Sequence, residues 1–353
     1  MADGDDGSAF RFNGSWREFA PIAFTNLLLI IVTLGIYRFW AKARERRYLW
    51  SRTEFIRDPL EWTGTGLELF VGFVLVVALL FVPLIILQFV LQGMMVRGHS
   101  GGAILLMLLA YAALIYLYGL ARYRALRYRL SRTFWHGIRG GSDDQGWGYA
   151  LTSLWKTAVG AFIFGFLIPW SMTSLWNDRW SRLSFGSHAF TANASWRPII
   201  GRFLLFYLLP VVGCVGGIAA IGGSIAGGGS PSPAAIGMLI LGAFAVYFSM
   251  GIIAIVYYAA FLREAIGALV LNKIGFTFTA RTMDWIKLIL GHIGLVIVTI
   301  GVGLIFIGYR NWSFFIRHME ASGEVELASL TQSTTEKPGQ GEGLLDAFDV
   351  GAF

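Results

Sequence analysis

The chain has 353 residues, of which 56% are hydrophobic, 15% aromatic and only 14% charged. A water-soluble domain of ordinary proportions cannot bury that much apolar surface, so the composition excludes a soluble globular protein. In a soluble protein the formal net charge of +7 would suggest a nucleic-acid partner. In a membrane protein, a surplus of lysine and arginine more often marks the side on which loops are retained. We therefore predict a membrane protein without a nucleic-acid partner.

Seven apolar segments follow one another along the chain. They cover residues 19–37, 67–92, 101–120, 149–170, 198–221, 234–262 and 285–309. A transmembrane helix needs roughly 20 apolar residues, and several of these segments reach that length. Transmembrane strands are about 10 residues long and alternate in polarity, whereas these runs are continuously apolar. The segments predict an all-α polytopic membrane protein.

A cluster of arginine and aromatic residues recurs between the apolar segments. Arg47-Tyr48 with Ser51-Arg52-Thr53 is matched at the same spacing by Arg127-Tyr128 with Ser131-Arg132-Thr133, and a looser copy begins at Arg179. Such self-similarity predicts internal pseudo-repeats, each with one re-entrant or short segment and a transmembrane hairpin. The predicted parts are an N-terminal cytoplasmic segment (1–18), two membrane repeats (19–140 and 141–283), a partial third repeat (284–319) and a C-terminal tail (320–353).

Two topologies compete for these segments. If all seven span the membrane, the basic residues are spread over both sides. If the first, fourth and seventh segments enter and leave on the same side, nearly all basic residues outside the apolar segments share one side, and Arg97 is the exception. The positive-inside rule favours the second arrangement, with most loops and the C-terminus cytoplasmic. Seven full spans remain the alternative.

Short stretches after the basic clusters indicate extended structure. Residues 53–62, 185–191 and 275–279 are rich in aromatic and β-branched residues, with glycine or asparagine nearby, which predicts small β-hairpins or extended elements on the cytoplasmic face. The glycine-rich stretch 137–148 is expected to be a flexible joint between the repeats. The apolar residues of 344–353 suggest that the tail docks onto the rest of the protein.

Several motifs together resemble a known family. They are Asn26 to Val32 leading into Thr33-Leu-Gly-Ile-Tyr-Arg-Phe-Trp40, Trp62-Thr-Gly-Thr-Gly66, Phe134-Trp-His-Gly-Ile-Arg139 and Asp346-Ala-Phe-Asp-Val-Gly-Ala-Phe353. In these motifs the chain resembles the YjgN-like bacterial inner-membrane proteins, a family known chiefly as a domain of unknown function. The likeness covers nearly the whole chain. It implies a multi-pass protein of the bacterial cytoplasmic membrane and supplies no catalytic residue.

The sequence gives little support for catalysis. The histidines 99, 136, 188, 292 and 318 include no pair at metal-ligand spacing, and the single cysteine, Cys214, can form no intramolecular disulfide. Gly98-His-Ser-Gly-Gly102 matches a nucleophile elbow around Ser100, but it lies in a short loop between two membrane helices, without a preceding strand. We predict no enzyme, no catalytic residue, no metal and no cofactor.

The arginine clusters are the main candidate site. Lipid anchoring, or recognition of a phosphate-bearing lipid or solute, is expected of Arg44, Arg46, Arg47, Arg52, Arg127, Arg129, Arg132, Arg179 and Arg182. Asn26, Lys156 and His292 are polar residues in apolar segments and are candidates for lining a pathway.

Two functional hypotheses follow from these candidates. The first is facilitated passage of a small solute or lipid at the repeat interface. The alternative is a non-catalytic membrane scaffold or anionic-lipid-binding protein. Membrane lipid is the expected partner in both cases, and the oligomeric state stays open.

Overall fold

The computed structural model describes residues 8–226, 233–324 and 330–339. Its helices occur in pairs, and short strands connect one pair to the next. The helices are α1 (Trp16–Val32), α2 (Arg38–Ser51), α3 (Gly66–Val76), α4 (Val82–Val96), α5 (Ser100–Arg132), α6 (Trp147–Ala161), α7 (Ile168–Trp180), α8 (Ile200–Ala226), α9 (Pro233–Gly267), α10 (Thr282–Val298) and α11 (Ile307–His318).

Four helices are long and apolar enough to cross a membrane. They cover Gly66–Val96, Ser100–Arg132, Ile200–Gly223 and Ile236–Gly267. The first combines α3 and α4 through a π-helical segment, Val77–Phe81. Pro83 follows this segment and has no N–H for residue 79, which favours the wider turn before it. These four helices are the segments that the charge pattern predicts to span.

The three shorter pairs, α1–α2, α6–α7 and α10–α11, each reverse direction at a left-handed corner. The corners are Leu34-Gly35, Phe164-Gly165 and Ile300-Gly301, and all six residues have positive φ. The first residue of each corner is almost fully exposed, at 93% for Leu34, 90% for Phe164 and 93% for Ile300. Three apolar side chains at the tips of three helical pairs fit insertion into the hydrocarbon of a bilayer.

Hydrogen bonds within the chain satisfy the backbone at two of these corners. The Gly35 N–H donates to the Ile30 carbonyl at 2.7 Å, and the Gly301 N–H donates to the Val296 carbonyl at 2.8 Å. This is the six-to-one bond of a Schellman motif, which needs a left-handed residue at the helix end. Threonine assists, because Thr299 Oγ1 donates to the Leu295 carbonyl at 2.6 Å and accepts from the Gly303 N–H at 2.7 Å. Such internal bonding is what non-spanning backbone requires at membrane depth.

The connecting strands form two antiparallel sheets. One has the order β1 (Phe10–Phe12), β2 (Thr53–Phe55) and β3 (Asp58–Pro59). The other has eight strands in chain order: β4 (Glu61–Trp62), β5 (Thr133–Trp135), β6 (Ile138–Gly141), β7 (Ser184–Phe185), β8 (His188–Ala192), β9 (Leu269–Leu271), β10 (Ile274–Phe278) and β11 (Met319–Gly323). Helical pairs occupy the connections β1–β2, β4–β5, β6–β7, β8–β9 and β10–β11. Both ends of every pair therefore return to the same side.

The two sheets meet at both ends and surround an apolar interior. Strands β1 and β11 are neighbours, and only Leu60 separates β3 from β4 in the chain. Ring centroids of the two sheets lie 6.3 Å apart for Phe10 and Phe276 and 5.0 Å apart for Phe55 and Trp135. A small apolar cavity of about 200 Å³ between the strands is lined by residues that include Trp135, Phe190 and Phe276. Trp135 is 3% exposed and its indole donates to the Phe55 carbonyl at 2.9 Å.

The all-α prediction is wrong, because strands from every part of the chain pair into these sheets. The extended stretches at 53–62, 185–191 and 275–279 do contain strands, but they belong to shared sheets and not to isolated hairpins. The predicted flexible joint at 137–148 contributes β6 and the start of α6. Ser100 begins α5 directly after α4, so no strand precedes it. The predicted docking of 344–353 lies outside the described residues.

Aromatic residues tie the first, middle and last parts of the chain together beneath the sheets. The Trp50 and Trp312 rings stack with centroids 4.0 Å apart. Their indoles donate to Thr133 Oγ1 at 2.9 Å and Thr53 Oγ1 at 2.8 Å, respectively. These residues join α2, α11, β2 and β5, so they build the core and do not form a lipid-facing aromatic belt.

A glutamate joins the start of α3 to the end of α5. Glu68 accepts from Arg132 Nη2 at 2.7 Å and from the Tyr128 hydroxyl at 2.8 Å. It also forms the capping box of α3 with Thr65, which satisfies two free N–H groups at the helix start. Its side chain is 18% exposed, so the ion pair is only weakly screened by solvent.

Replacing the corner glycine Gly301 by alanine should destabilise the protein by about 1–2 kcal/mol, because its φ of 88° is costly for a residue with a Cβ. No heavy atom lies within 4 Å of the added Cβ, so the cost is conformational. Gly294→Ala is the control: it also adds a Cβ in open space, but in the helical part of α10, and it should be neutral or stabilising. Unfolding of the purified protein in detergent measures both. Equal effects of the two variants would contradict the left-handed corner.

Glu68→Ala should cost about 3 kcal/mol, because it leaves Arg132 without its counter-charge in a largely buried position. Glu61→Ala removes an exposed glutamate from β4 and should stay within about 0.5 kcal/mol of the wild type. The same unfolding measurement compares them. A loss for Glu68→Ala no larger than that for Glu61→Ala would show that the network does not stabilise the fold.

Candidate anion-binding cavity

The structure divides the nine predicted arginines by their surroundings. Four are exposed, namely Arg44, Arg47, Arg52 and Arg182. Of these, Arg52 Nη2 lies 3.0 Å from Glu18 Oε2, and Arg182 pairs with Asp144. Burial by itself would raise the pKa of Asp144, but the hydrogen bond from the Gly146 N–H and the charge of Arg182 lower it below its ordinary value.

Three further arginines contact groups of the protein itself. Arg132 pairs with Glu68, Arg127 is buried and its Nε donates to the Ser142 carbonyl at 2.8 Å, and the buried guanidinium of Arg46 lies 5.0 Å from the Trp62 ring centroid. Arg129 is half-buried and lines a small pocket with Arg46 and Glu45. These side chains lie on α2 and α5, near the ends that lead into β2 and β5.

Arg179 has different surroundings. It is 1% exposed, and its Nε and Nη1 atoms have no hydrogen-bond partner. Burial lowers the pKa of Arg179 to about 10, and the positive charge of Arg122 acts in the same direction, while nearby tyrosines oppose it. The Trp176 ring centroid lies 5.4 Å from its guanidinium carbon. A buried, charged and incompletely bonded arginine thus lies next to a second arginine.

Arg179 faces a cavity of about 700 Å³ between the second short pair and the neighbouring helices. Residues of six helices line it: Tyr118, Arg122, Tyr149, Thr157, Gly160, Ala161, Ile168, Ser171, Met172, Leu175, Trp176, Arg179, Tyr258, Phe261, Trp285 and Phe315. The α7 residues recur every three or four positions, so they form one face of that helix. Arg122 was not among the sequence candidates; the signal for it is that it is the first charge after the apolar run of α5.

Three of the residues that line this cavity have buried donor nitrogens without a hydrogen-bond partner. In addition to Arg179, the buried indole Nε1 atoms of Trp176 and Trp285 have no hydrogen-bond partner. Indole and guanidinium nitrogens donate and do not accept. No aspartate or glutamate is among the described residues that line the cavity. The arrangement is therefore suited to a ligand rich in acceptor oxygens that carries negative charge.

The depth of the cavity along α7 matches that of one leaflet of a bilayer. From Arg179 to Ile168 near the tip, α7 rises about 17 Å, which is roughly half the thickness of the hydrocarbon core. Arg122 lies about 33 Å along α5 from Ser100, close to the full thickness of roughly 30 Å. Both arginines thus lie towards the helix ends that lead into the strands, and the lining residue Ile168 lies near the opposite tip of α7.

The edge of the cavity is formed by residues that are exposed on the apolar helices. Tyr118 on α5 is 52% exposed and Tyr258 on α9 is 41% exposed. Helix α5 packs on α6, α6 on α7 and α7 on α9, so α6 and α7 close the back. The exposed tyrosines of the lining thus belong to α5 and α9.

The three candidate pathway residues lie in three different short pairs. Asn26 is buried in α1 and its Nδ2 donates to the Ala41 carbonyl at 3.3 Å. Lys156 on α6 pairs with Asp178 and Ser174 on α7. His292 on α10 has a buried Nε2 without a hydrogen-bond partner. None of the three hydrogen-bonds to another within the described part of the chain, and Lys156 is next to the cavity residue Thr157.

Comparison with known proteins identifies related sequences. The chain is 23% identical over 383 aligned positions to "Inner membrane protein YjgN" of Salmonella typhimurium (strain LT2), and the match covers 93% of this chain and 91% of that protein. The protein of the same name from Escherichia coli (strain K12) is 30% identical over 131 positions, which cover 37% of this chain and 30% of that protein. No solved structure matches.

The relatives' names and the four apolar helices support a bacterial inner-membrane protein. A family model described as "Bacterial protein of unknown function (DUF898)" matches residues 7–347. This match covers nearly the whole described chain, and it confirms the YjgN-like resemblance. The chain belongs to the DUF898 family of bacterial proteins.

Proposed function

We propose that this protein binds an anionic membrane lipid in the Arg179 cavity and performs no catalytic step. The observation that carries the proposal is the buried guanidinium of Arg179, which has two unpartnered nitrogens, lies beside Arg122 and has no acid among the described lining residues. A buried charge without a counter-charge costs several kcal/mol. An anionic ligand that accepts hydrogen bonds from these nitrogens offsets that cost.

The shape and chemistry of the cavity favour a lipid over a soluble anion. The deeper lining is apolar and includes Ile168, Met172 and Leu175. With the headgroup at Arg179, an acyl chain along α7 covers the depth of about one leaflet. The exposed tyrosines at the edge provide a lateral entrance from the membrane.

The same proposal includes an orientation, with the sheets on the cytoplasmic side. Basic residues follow or precede the strands throughout the chain, whereas Arg97 lies in the connection between α4 and α5 at the opposite end. The positive-inside rule assigns the strand-bearing side to the cytoplasm. The lipid bound at Arg179 then belongs to the cytoplasmic leaflet.

A second candidate function is passage of a lipid or small solute at the repeat interface. It is favoured by the broken helical pair α6–α7, both halves of which line the cavity, since discontinuous membrane helices often build transport sites. Lipid scrambling by the protein in reconstituted vesicles tests it. Scrambling at the rate of protein-free vesicles would remove this candidate and leave binding intact.

Labelling of a single cysteine tests the orientation. In a Cys214→Ser background, Ser187→Cys places a thiol in the exposed turn between β7 and β8. An impermeant maleimide should label it in inside-out vesicles and not in intact cells, because the turn lies on the strand-bearing side. Met95→Cys, which is exposed near the opposite end of α4, should show the reverse. Labelling of Ser187→Cys from outside intact cells would overturn the orientation.

Arg179→Met should weaken binding of anionic phospholipid by about 10- to 100-fold, because charged hydrogen bonds contribute about 1.5–3 kcal/mol each. The same variant should unfold at a higher temperature than wild type when both are delipidated, because it removes an unpartnered buried charge. Lipid titration by native mass spectrometry and thermal unfolding in detergent measure the two effects.

Arg124→Met is the matched control on α5. Arg124 Nε donates to the Gln145 carbonyl at 3.1 Å, and the residue does not line the cavity. Its replacement should leave lipid affinity within about twofold and should not raise stability. If Arg179→Met retained full affinity, or lost stability when delipidated, Arg179 would be a structural residue and the proposal would fail.

A further inference from the structure

The charge of the cavity specifies the lipid headgroup more closely. Arg122 and Arg179 act on one another as neighbouring positive charges, and no aspartate or glutamate is found among the described lining residues. Within the described part of the chain, neither arginine forms an ion pair. Arg179 has the neighbours given above, and Arg122 approaches the ring of Tyr118, at 5.8 Å from its centroid. The site therefore carries two positive charges at one membrane boundary.

The nearest acid along the chain does not compensate them. Asp178 precedes Arg179, but successive helical residues point about 100° apart, and Asp178 pairs with Lys156 on α6. The carboxylate is thereby neutralised on another face of α7. The positive charges of Arg122 and Arg179 are therefore not balanced by Asp178.

From this balance we infer that the preferred ligand is a phosphomonoester lipid, whose headgroup ends in a terminal phosphate. This inference rests on the proposed lipid-binding function. A phosphomonoester carries about −1.5 to −2 charges at pH 7 and presents three acceptor oxygens. A phosphodiester lipid carries one charge and two free oxygens, which leaves one arginine uncompensated.

The hydrogen-bond donors of the cavity residues also favour a terminal phosphate. Arg179 has two buried nitrogens without a partner, Nε and Nη1, and the indoles of Trp176 and Trp285 have one each. The Nε–H and Nη1–H groups point to different sides of the guanidinium and donate to separate acceptors, so a headgroup with several acceptor oxygens suits these donors and Arg122. A zwitterionic headgroup fits poorly, because its ammonium would meet two arginines and no carboxylate.

The test compares short-chain lipids of identical acyl composition with purified protein in neutral detergent. Dioctanoyl phosphatidic acid should bind at least 10-fold more tightly than dioctanoyl phosphatidylglycerol at pH 7.5, and phosphatidylethanolamine most weakly. The advantage should shrink towards one as the pH falls to 5, because the second ionisation of a phosphomonoester lies near pH 6 while both arginines remain protonated.

Arg122→Gln removes one of the two charges. It should reduce the preference for phosphatidic acid to less than about threefold and leave phosphatidylglycerol binding largely intact. Arg124→Gln, which removes one positive charge from the same helix outside the cavity, should keep the full preference and its pH dependence. This pair separates a local charge match from general attraction between basic residues and anionic lipid.

The outcomes distinguish this inference from the function on which it rests. Equal affinity for phosphatidic acid and phosphatidylglycerol at pH 7.5 would overturn the phosphomonoester assignment and leave anionic-lipid binding standing. Binding of neither lipid above phosphatidylethanolamine would overturn both. Competition by glycerol 3-phosphate as strong as that by phosphatidic acid would show that the acyl chains contribute nothing, and it would overturn the lipid as the source of the phosphate.

Discussion

The architecture depends on one constraint, which is that peptide groups inside a bilayer must find their hydrogen-bond partners within the chain. The corners at Leu34-Gly35 and Ile300-Gly301 meet it with backbone bonds across a left-handed turn. Helical pairs too short to span can therefore enter and return. Because every pair returns to the side from which it came, all connecting strands collect on that side and can pair with one another. The cavity beside α7 exists because one such pair is held against the longer helices.

Apolar length and the placement of basic residues are sufficient to predict the membrane class and the four segments that form helices long and apolar enough to span. The sheets could not be predicted in the same way. Their strands have two to five residues, and most of their pairing joins segments separated by a whole helical pair, such as Trp62 with Thr133. Sequence periodicity reports local structure, whereas these bonds depend on where distant helices return the chain. The glycine-rich stretch at 137–148 has the local composition of a joint, but part of it forms β6, because the distant strand β7 pairs with it.

The cavity, like the sheets, could be predicted from the sequence only in part. The recurring motif identified Arg179 as one of nine arginines but gave no means of separating it from Arg127, whose Nε bonds to a backbone carbonyl. Both arginines are 1% exposed, so burial does not separate them. Their hydrogen bonds do, because two nitrogens of Arg179 have no partner, and such bonding depends on the three-dimensional structure. Trp285 reaches the cavity from α10, far along the chain. Arg122 lies at the end of an apolar run, where an arginine usually indicates a membrane boundary.

Lys156 affects the charge of the cavity through its ion pair with Asp178. A lysine in a short apolar helix suggests a pathway, but its bond to Asp178 withdraws the only acid adjacent to Arg179 in the chain. With Lys156 in place, Asp178 already has a counter-charge, and the described residues that line the cavity include no acid to compensate Arg179. The ion pair between α6 and α7 therefore stabilises the second short pair and, at the same time, preserves the positive charge of the cavity.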